Sequence, residues 1–194
     1  SRGAAVLAWS QELGEGEGYG PVEVATRPAG GRFTAKPVTL VRKSVPAVAA
    51  INRQGTATVL FGRSIASKGS EQEEEGPLEA VAHPADAGWR KPEMVSPEGI
   101  PQAMTCGPNG ELVALWETDL PLSVKPTERH RVIDASTQPA GGAWQPPDTI
   151  SPENTAEDTA GLAPPANGQF TAIWVRGPIS GTQLIETADY EPPG

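Results

Sequence analysis

Short apolar runs separated by polar turns follow one another along the whole chain. Residues 47–51 form one such run, the turn 52–55 ends it, and residues 56–61 form the next. Asparagine and glycine in these turns favour a tight hairpin, because glycine adopts a positive φ without steric cost. The run that follows each turn is largely apolar at odd and even positions alike, which is typical of a strand covered on both faces. The pattern therefore predicts many short antiparallel strands.

The positions of glycine and aromatic residues show that this pattern occurs four times. A glycine is followed six residues later by an aromatic residue in four places: Gly3 and Trp9, Gly55 and Phe61, Gly110 and Trp116, Gly168 and Trp174. A second column begins with Pro-Ala and ends on an aromatic residue, at Phe33, Trp89 and Trp144. Self-similarity with a period of about 55 residues indicates a solenoid or a propeller, and four strands in each repeat match a propeller blade.

The repeats predict an all-β fold, a β-propeller segment of four blade repeats built from four-stranded antiparallel sheets. The blade pieces are 1–41, 42–96, 97–151 and 152–194. Both end blades are incomplete, because the chain starts at the second strand of a blade and stops after the third. We expect about fourteen strands in one arc, 1–194, with the remaining blades of the same parent chain completing the ring; a four-bladed ring with defective end blades is the alternative. The turn glycines Gly55, Gly110 and Gly168 should occupy equivalent hairpins.

The aromatic columns have two interpretations. Their rings and indole N–H groups could form a stacking platform for sugars. A residue that recurs once in each repeat more often serves the repeat itself, so we expect Trp9, Phe61, Trp116 and Trp174 to be buried between adjacent sheets. Replacing such a residue with alanine should then cost stability rather than ligand binding.

A carboxylate recurs on the third strand of each repeat, at Glu23, Glu79, Asp134 and Glu186. Glycosidases use two carboxylates, so a catalytic pair is one interpretation. The rotation of a propeller spreads equivalent residues around the ring, however, and does not bring them together. We therefore expect these side chains to be solvated or to bond turns.

Charge and composition exclude several functions. The net charge of −9 and the pI of about 4.7 argue against a nucleic-acid partner, which needs clustered lysine and arginine. No apolar run reaches the roughly 18 residues of a membrane span. The single cysteine, Cys106, and the two histidines, His83 and His130, form no metal motif, and we expect neither a metal nor a cofactor. Because the chain starts at Ser1, we expect a mature form or a piece of a longer protein.

The element before each fourth strand resembles the Asp-box of bacterial neuraminidase repeat proteins. It retains the glycine, the aromatic residue and a following proline: Gly142-Ala143-Trp144 with Pro146, Gly88-Trp89 with Pro92, and Gly31-Arg32-Phe33 with Pro37. The Ser, Asp and Thr of the box are absent. The resemblance implies a degenerate sialidase-like propeller from an exported bacterial protein, in which the box fastens the blade and takes no part in catalysis.

The sialidase resemblance also bears on catalysis. Sialidases open a first strand with Arg-Ile-Pro and carry an arginine triad and a Tyr–Glu nucleophile pair. The corresponding openings here are Ser44-Val45-Pro46 and Gly99-Ile100-Pro101, without the arginine. The resemblance therefore implies that this segment holds no complete sialidase site.

The connections between second and third strands differ most between repeats. They cover residues 11–20, 64–76, 118–130 and 177–183, and several are acidic. Loops on a rigid scaffold commonly carry function, so a ligand site is expected on this face and not on the face that carries the Asn-Gly and Pro-Ala hairpins. Its candidate residues are Glu71, Glu73, Glu74, Glu75, Asp119 and Arg129. A cation or a basic partner would suit them, and a purely solvating role is the alternative.

These observations favour a non-catalytic binding or scaffolding module with an unknown protein or carbohydrate ligand, located outside the bacterial cell or in its envelope. The alternative is a fragment of a sialidase-type glycoside hydrolase whose catalytic residues lie mostly outside this segment.

Overall fold

The computed structural model describes residues 3–12, 19–66, 73–121, 129–152, 157–166, 169–177 and 182–190. In this part of the chain the protein has fourteen β-strands and no helix that could cross a membrane. The strands are β1 Ala5–Glu12, β2 Tyr19–Arg27, β3 Val38–Val41, β4 Ser44–Ile51, β5 Ala57–Ala66, β6 Glu73–His83, β7 Glu93–Ser96, β8 Ile100–Cys106, β9 Leu112–Pro121, β10 Arg129–Gln138, β11 Asp148–Thr149, β12 Glu157–Ala166, β13 Gln169–Arg176 and β14 Leu184–Tyr190. The predicted all-β fold is confirmed.

The strands form four antiparallel sheets, each from consecutive strands. Sheet I is β1-β2-β3, sheet II is β4-β5-β6-β7, sheet III is β8-β9-β10-β11 and sheet IV is β12-β13-β14. Two sheets of four strands between two of three strands match a propeller-like segment with incomplete ends. The chain divides into two compact units, Ser1–Pro101 with sheets I and II, and Gln102–Gly194 with sheets III and IV.

Backbone hydrogen bonds close the first hairpin of the repeat in sheets II and III. The Gly55 N–H donates to the Asn52 carbonyl at 3.0 Å, and the Gly110 N–H donates to the Gly107 carbonyl at 3.2 Å. Gly55 has a φ of +83° and Gly110 has +92°, conformations that favour glycine. Their predicted equivalence is confirmed, whereas Gly168 lies outside the described residues.

The Pro-Ala hairpins are also equivalent in three sheets. In each, a backbone N–H donates to the proline carbonyl three residues earlier: Gly31 to Pro28 at 3.0 Å, Ala87 to Pro84 at 3.1 Å, and Gly142 to Pro139 at 2.8 Å. A second main-chain bond spans the hairpin: Thr34 to Thr26 at 3.0 Å, Arg90 to Ala82 at 2.8 Å, and Gln145 to Thr137 at 2.8 Å. Main-chain bonds thus hold this turn in the absence of the Ser, Asp and Thr side chains.

The core of the first unit lies between sheets I and II. It consists of buried residues from both sheets: Val22, Val24 and Val41 from sheet I, and Val59, Phe61 and Val81 from sheet II. Side chains alternate between the two faces of a strand, so Val59 and Phe61 share one face of β5. We call the face that carries the aromatic residue of the second strand the aromatic face. In sheet II this face packs against sheet I.

The core of the second unit repeats that arrangement. Phe170, Ala172 and Trp174 lie on the aromatic face of sheet IV and pack against Leu115 and Ile133 of sheet III. In both units, therefore, the aromatic face of one sheet covers the opposite face of the sheet that precedes it.

Burial of the first aromatic column is confirmed at three positions and wrong at one. Phe61 and Trp116 are fully buried and Trp174 is 3% exposed, whereas Trp9 is 37% exposed. The neighbours of Trp9 along the strand, Val6 and Ala8, pack towards sheet II. By alternation Trp9 points to the other face of sheet I, where no preceding sheet of the first unit covers it.

The strands extend further than the sequence predicted at the variable connections. Pairing between β5 and β6 continues past a bulge at Gly62/Ser64 to the pair Ala66 and Glu73. Glu73, Glu74 and Glu75 therefore belong to a strand and not to a loop. A bulge leaves one residue unpaired and shifts the register, after which backbone pairing resumes whatever the side chains are.

Tyr190 supplies a pH prediction. Its side chain is 8% exposed. Burial, and secondly the Asp148 carboxylate, raise its pKa above the ordinary 10.0. A group with a higher pKa in the folded state contributes stability that is complete below its unfolded pKa and is lost as the pH rises through the folded value. We expect the free energy of unfolding to fall as the pH rises above about 10, and to fall less steeply in Tyr190→Phe. Urea unfolding between pH 8 and 11 measures both, and identical slopes would contradict the assignment.

Candidate functional site

The carboxylates of the third strands lie directly opposite the aromatic column. The pairs are Trp9 with Glu23, Phe61 with Glu79, Trp116 with Asp134, and Trp174 with Glu186. Directly opposed residues on antiparallel strands point to the same face of the sheet. Each carboxylate therefore lies on the aromatic face of its own sheet.

Three of these carboxylates are bound by partners in the same sheet. Arg63 Nε lies 2.7 Å from Glu79 Oε2, and Arg176 Nη2 lies 2.8 Å from Glu186 Oε1. Both arginines stand two residues after the aromatic residue, and their ion pairs show that they reach the aromatic face. The side chains of Glu79 and Glu186 are only 18% and 25% exposed. The expectation of solvated or turn-bonding carboxylates is wrong here, because an opposed arginine binds each one.

In sheet III the carboxylate of Asp134 accepts hydrogen bonds from hydroxyl groups instead of forming an ion pair. The hydroxyl of Thr118 donates to Asp134 Oδ2 at 2.7 Å, and the hydroxyl of Thr149 donates to Oδ1 at 2.6 Å. Thr118 occupies the position that Arg63 and Arg176 have in the other sheets, and Thr149 lies on the fourth strand. Through these two hydrogen bonds Asp134, which is 9% exposed, connects β10 with β9 and β11. This arrangement fastens the sheet, and among the described residues its side-chain partners are two hydroxyl groups and not a second carboxylate.

The predicted ligand residues fall on two separate strand pairs. Glu73, Glu74 and Glu75 pair with the backbone of Ala66, Ile65 and Ser64 on β5. Arg129 pairs with Pro121, and Asp119 accepts a hydrogen bond from Arg131 Nε at 3.3 Å, both in sheet III. Glu71 lies outside the described residues. A ligand site at this end of the sheets stays a prediction.

Sequence reasoning missed Arg131 and Glu117. Arg131 Nη1 lies 3.3 Å from Glu117 Oε2, so the same guanidinium binds Glu117 and Asp119. The Glu117 side chain is 3% exposed. The alternation of acidic residues at 117 and 119 was a signal for one shared face, but the arginine opposite them follows only from the strand register.

A cavity of about 630 Å³ opens at the other end of the first unit, where the short hairpins lie. It is lined by residues from segments 26–29, 51–57 and 83–86, together with Ala4 and Ala5. We call it the hairpin-end cavity. Hairpins of both sheets contribute to it, so no single repeat of the sequence predicts it.

Basic residues outnumber acidic residues in the lining of the hairpin-end cavity. It contains Arg27, Arg53 and His83 with a single carboxylate, that of Asp86. Arg27 Nη2 donates to the Gly3 carbonyl at 3.0 Å, and its guanidinium lies 5.2 Å from the ring centre of Phe33. The rings of His83 and Trp89 are 4.9 Å apart. Aromatic residues of the second column thus support two of the basic side chains, a contact of the cation–π type at Arg27.

No protein-family model and no curated protein matches this chain. A crystal structure of a protein of unknown function from Dyadobacter fermentans matches with a TM-score of 0.68 and 11% identity, over 97% of this chain and 63% of that one. The endo-arabinase of Bacteroides thetaiotaomicron matches with a TM-score of 0.52 and 16% identity, over 98% of this chain and 72% of that one. The chain thus spans less than two thirds of the length of the first. At these identities the likeness is one of fold.

Proposed function

We propose that this chain is a non-catalytic binding or scaffolding module of propeller type, within an exported bacterial protein of the envelope or the extracellular space. The observation that carries the proposal is the engagement of the recurring carboxylates. Glu79 and Glu186 bind arginines and Asp134 binds two hydroxyls, each within its own sheet. A glycosidase acid and its nucleophile or base instead face a substrate between them.

A glycoside hydrolase fragment is the second candidate. The fold similarity to an endo-arabinase favours it, as do the hairpins that resemble the sialidase-type Asp-box. Glu117, whose side chain is 3% exposed beside Arg131, lies outside the recurring set of carboxylates, and this candidate can be tested on it. Further blades of a parent chain would then complete the site.

Hydrolysis assays separate the two candidates. We expect the purified chain to release no sugar from linear arabinan and no sialic acid from a synthetic sialoside, because the recurring carboxylates are held by their own sheets. Reducing-sugar and fluorescence assays measure the release. Turnover above a heat-denatured control that disappears in Glu117→Gln would favour the hydrolase and contradict our proposal.

A further inference from the structure

We propose that the hairpin-end cavity binds a small acidic ligand, of monosaccharide size, through its carboxylate or phosphate group. This inference deepens the proposed binding role and places the site at the hairpin end of the sheets, whereas the sequence predicted a site on the face of the variable connections and not on the hairpin face. The cavity volume of about 630 Å³ lies within the range of small-molecule sites, roughly 300–1,000 Å³.

The lining has the composition of such a site. Alanine, proline and isoleucine side chains such as Ala5, Pro28 and Ile51 provide apolar walls, and two of the polar side chains are arginines. Small-molecule sites are typically apolar with a small number of placed polar groups. In a chain with a net charge of −9, a cavity with two arginines and one aspartate is a local region of positive charge. A concave site of one sign concentrates ligands of the opposite sign.

The Arg27 side chain is held in place, and the backbone that carries Arg53 is fixed by its hairpin. Arg27 is fixed by the Gly3 carbonyl and by Phe33, and a guanidinium has five N–H donors, so further donors remain for a ligand. Arg53 belongs to the hairpin that the Asn52 side chain closes by accepting from the Thr56 N–H at 2.9 Å. Within the described ranges no carboxylate forms an ion pair with Arg53. Arginine presents a planar fork that matches carboxylate and phosphate oxygens.

Comparison between repeats points the same way. Arg27, His83 and Gln138 occupy one repeat position, just before the Pro-Ala hairpin. An arginine and a histidine stand there in sheets I and II, whose hairpins form the cavity, and a glutamine stands there in sheet III. Because the hairpin geometry is the same in all three, the turn itself does not require a basic residue. The basic residues are therefore explained by the cavity and not by the structure of the hairpin turn.

Calorimetric titration of the chain tests this assignment with three probes of similar size: glucuronate, glucose 6-phosphate and glucose. We expect at least one acidic probe to bind, with glucose about tenfold weaker or more, since charge-assisted hydrogen bonds are lost. Which acidic probe binds more tightly decides between carboxylate and phosphate. The affinity for the acidic probe should fall as the salt concentration is raised from roughly 50 to 300 mM, because salt screens the attraction between the arginines and the anionic group.

Variants locate the site. Arg53→Gln combined with His83→Gln, the residue that sheet III carries at that position, should weaken the acidic probe by about tenfold or more. Arg42→Gln is the matched control, because Arg42 is exposed on the same unit and does not line the cavity. It should change affinity less than about twofold. Circular dichroism confirms that each variant is folded.

Three results would overturn the proposal: no binding of either acidic probe at 10 mM, glucose binding as tightly as glucuronate, or equal weakening in Arg42→Gln and the double variant. The hydrolysis assay above does not depend on these residues of the first unit. Hydrolysis by the chain would disprove the proposed function without affecting the binding result. Failure of the acidic probes to bind would overturn this inference without affecting the proposed function.

Discussion

Trp174→Ala is expected to lower the free energy of unfolding by about 3–5 kcal/mol, the range for deleting a large buried aromatic side chain. Trp174 is 3% exposed and packs in the core of the second unit with Leu115, Ile133 and Phe170. The loss has two parts, the transfer of the indole out of water and the cavity that its removal leaves. Urea unfolding followed by far-ultraviolet circular dichroism measures it.

Trp9→Ala is the matched control, because Trp9 has the same repeat position and the same residue type but is 37% exposed. We expect it to cost clearly less, about 1–2 kcal/mol, in proportion to the smaller area it buries. The loss of stability in Trp174→Phe should lie between those of Trp9→Ala and Trp174→Ala, since sheet II has a phenylalanine, Phe61, at this position. The substitution also removes an indole N–H that has no partner among the described residues. Equal losses in Trp9→Ala and Trp174→Ala would contradict packing between sheets as the role of this column.

Asp134→Ala is expected to destabilise the protein by about 2–4 kcal/mol, because two hydrogen bonds to a buried carboxylate are lost together. Thr118 is 5% exposed, so its hydroxyl would remain buried without this acceptor. The bond from Thr149 is also the side-chain link to the short strand β11, whose backbone pairing with β10 covers only two residues. Amide hydrogen exchange should therefore increase first near β11.

The control for Asp134 is Asp189→Ala in sheet IV. Asp189 accepts a hydrogen bond from Thr171 at 2.8 Å across neighbouring strands, as Asp134 does from Thr118, but this bond is exposed. We expect its removal to change the free energy of unfolding by no more than about 0.5 kcal/mol. If Asp134→Ala were as mild as Asp189→Ala, the carboxylate would not fasten sheet III, and the case against a catalytic role for it would weaken.

Much of the fold could be predicted because its determinants are local. A glycine with a positive φ, as at Gly55 and Gly110, and the apolar run after it define a hairpin within a few residues. Repetition then multiplied a weak signal, since four similar segments are far less ambiguous than one. The ends of the strands were predicted less well. Glu73 to Glu75 have the composition of a loop, and only their pairing with β5 makes them a strand.

The candidate site could not be predicted in the same way, because its parts are distant in the sequence. Arg63 and Glu79 each look like an ordinary surface charge until the register places them on one face, 2.7 Å apart. Arg27 and Arg53 belong to hairpins of different sheets, and their common cavity exists only because those sheets pack together. No spacing rule within one repeat predicts that residues of two different sheets lie close together.

By itself, therefore, the sequence determined the all-β class, the four repeats, the number of strands and the two kinds of hairpin. These follow from alternation and from turn residues, which act over a few positions of the backbone. Only the tertiary structure decided which aromatic residues are buried, which carboxylates are bound and where a cavity forms. Trp9 and Trp174 have equivalent positions in the sequence, yet one is exposed and the other buried. The reason is physical: burial, ion pairing and cavity shape depend on the neighbouring sheet, and a repeat carries no information about whether it has one.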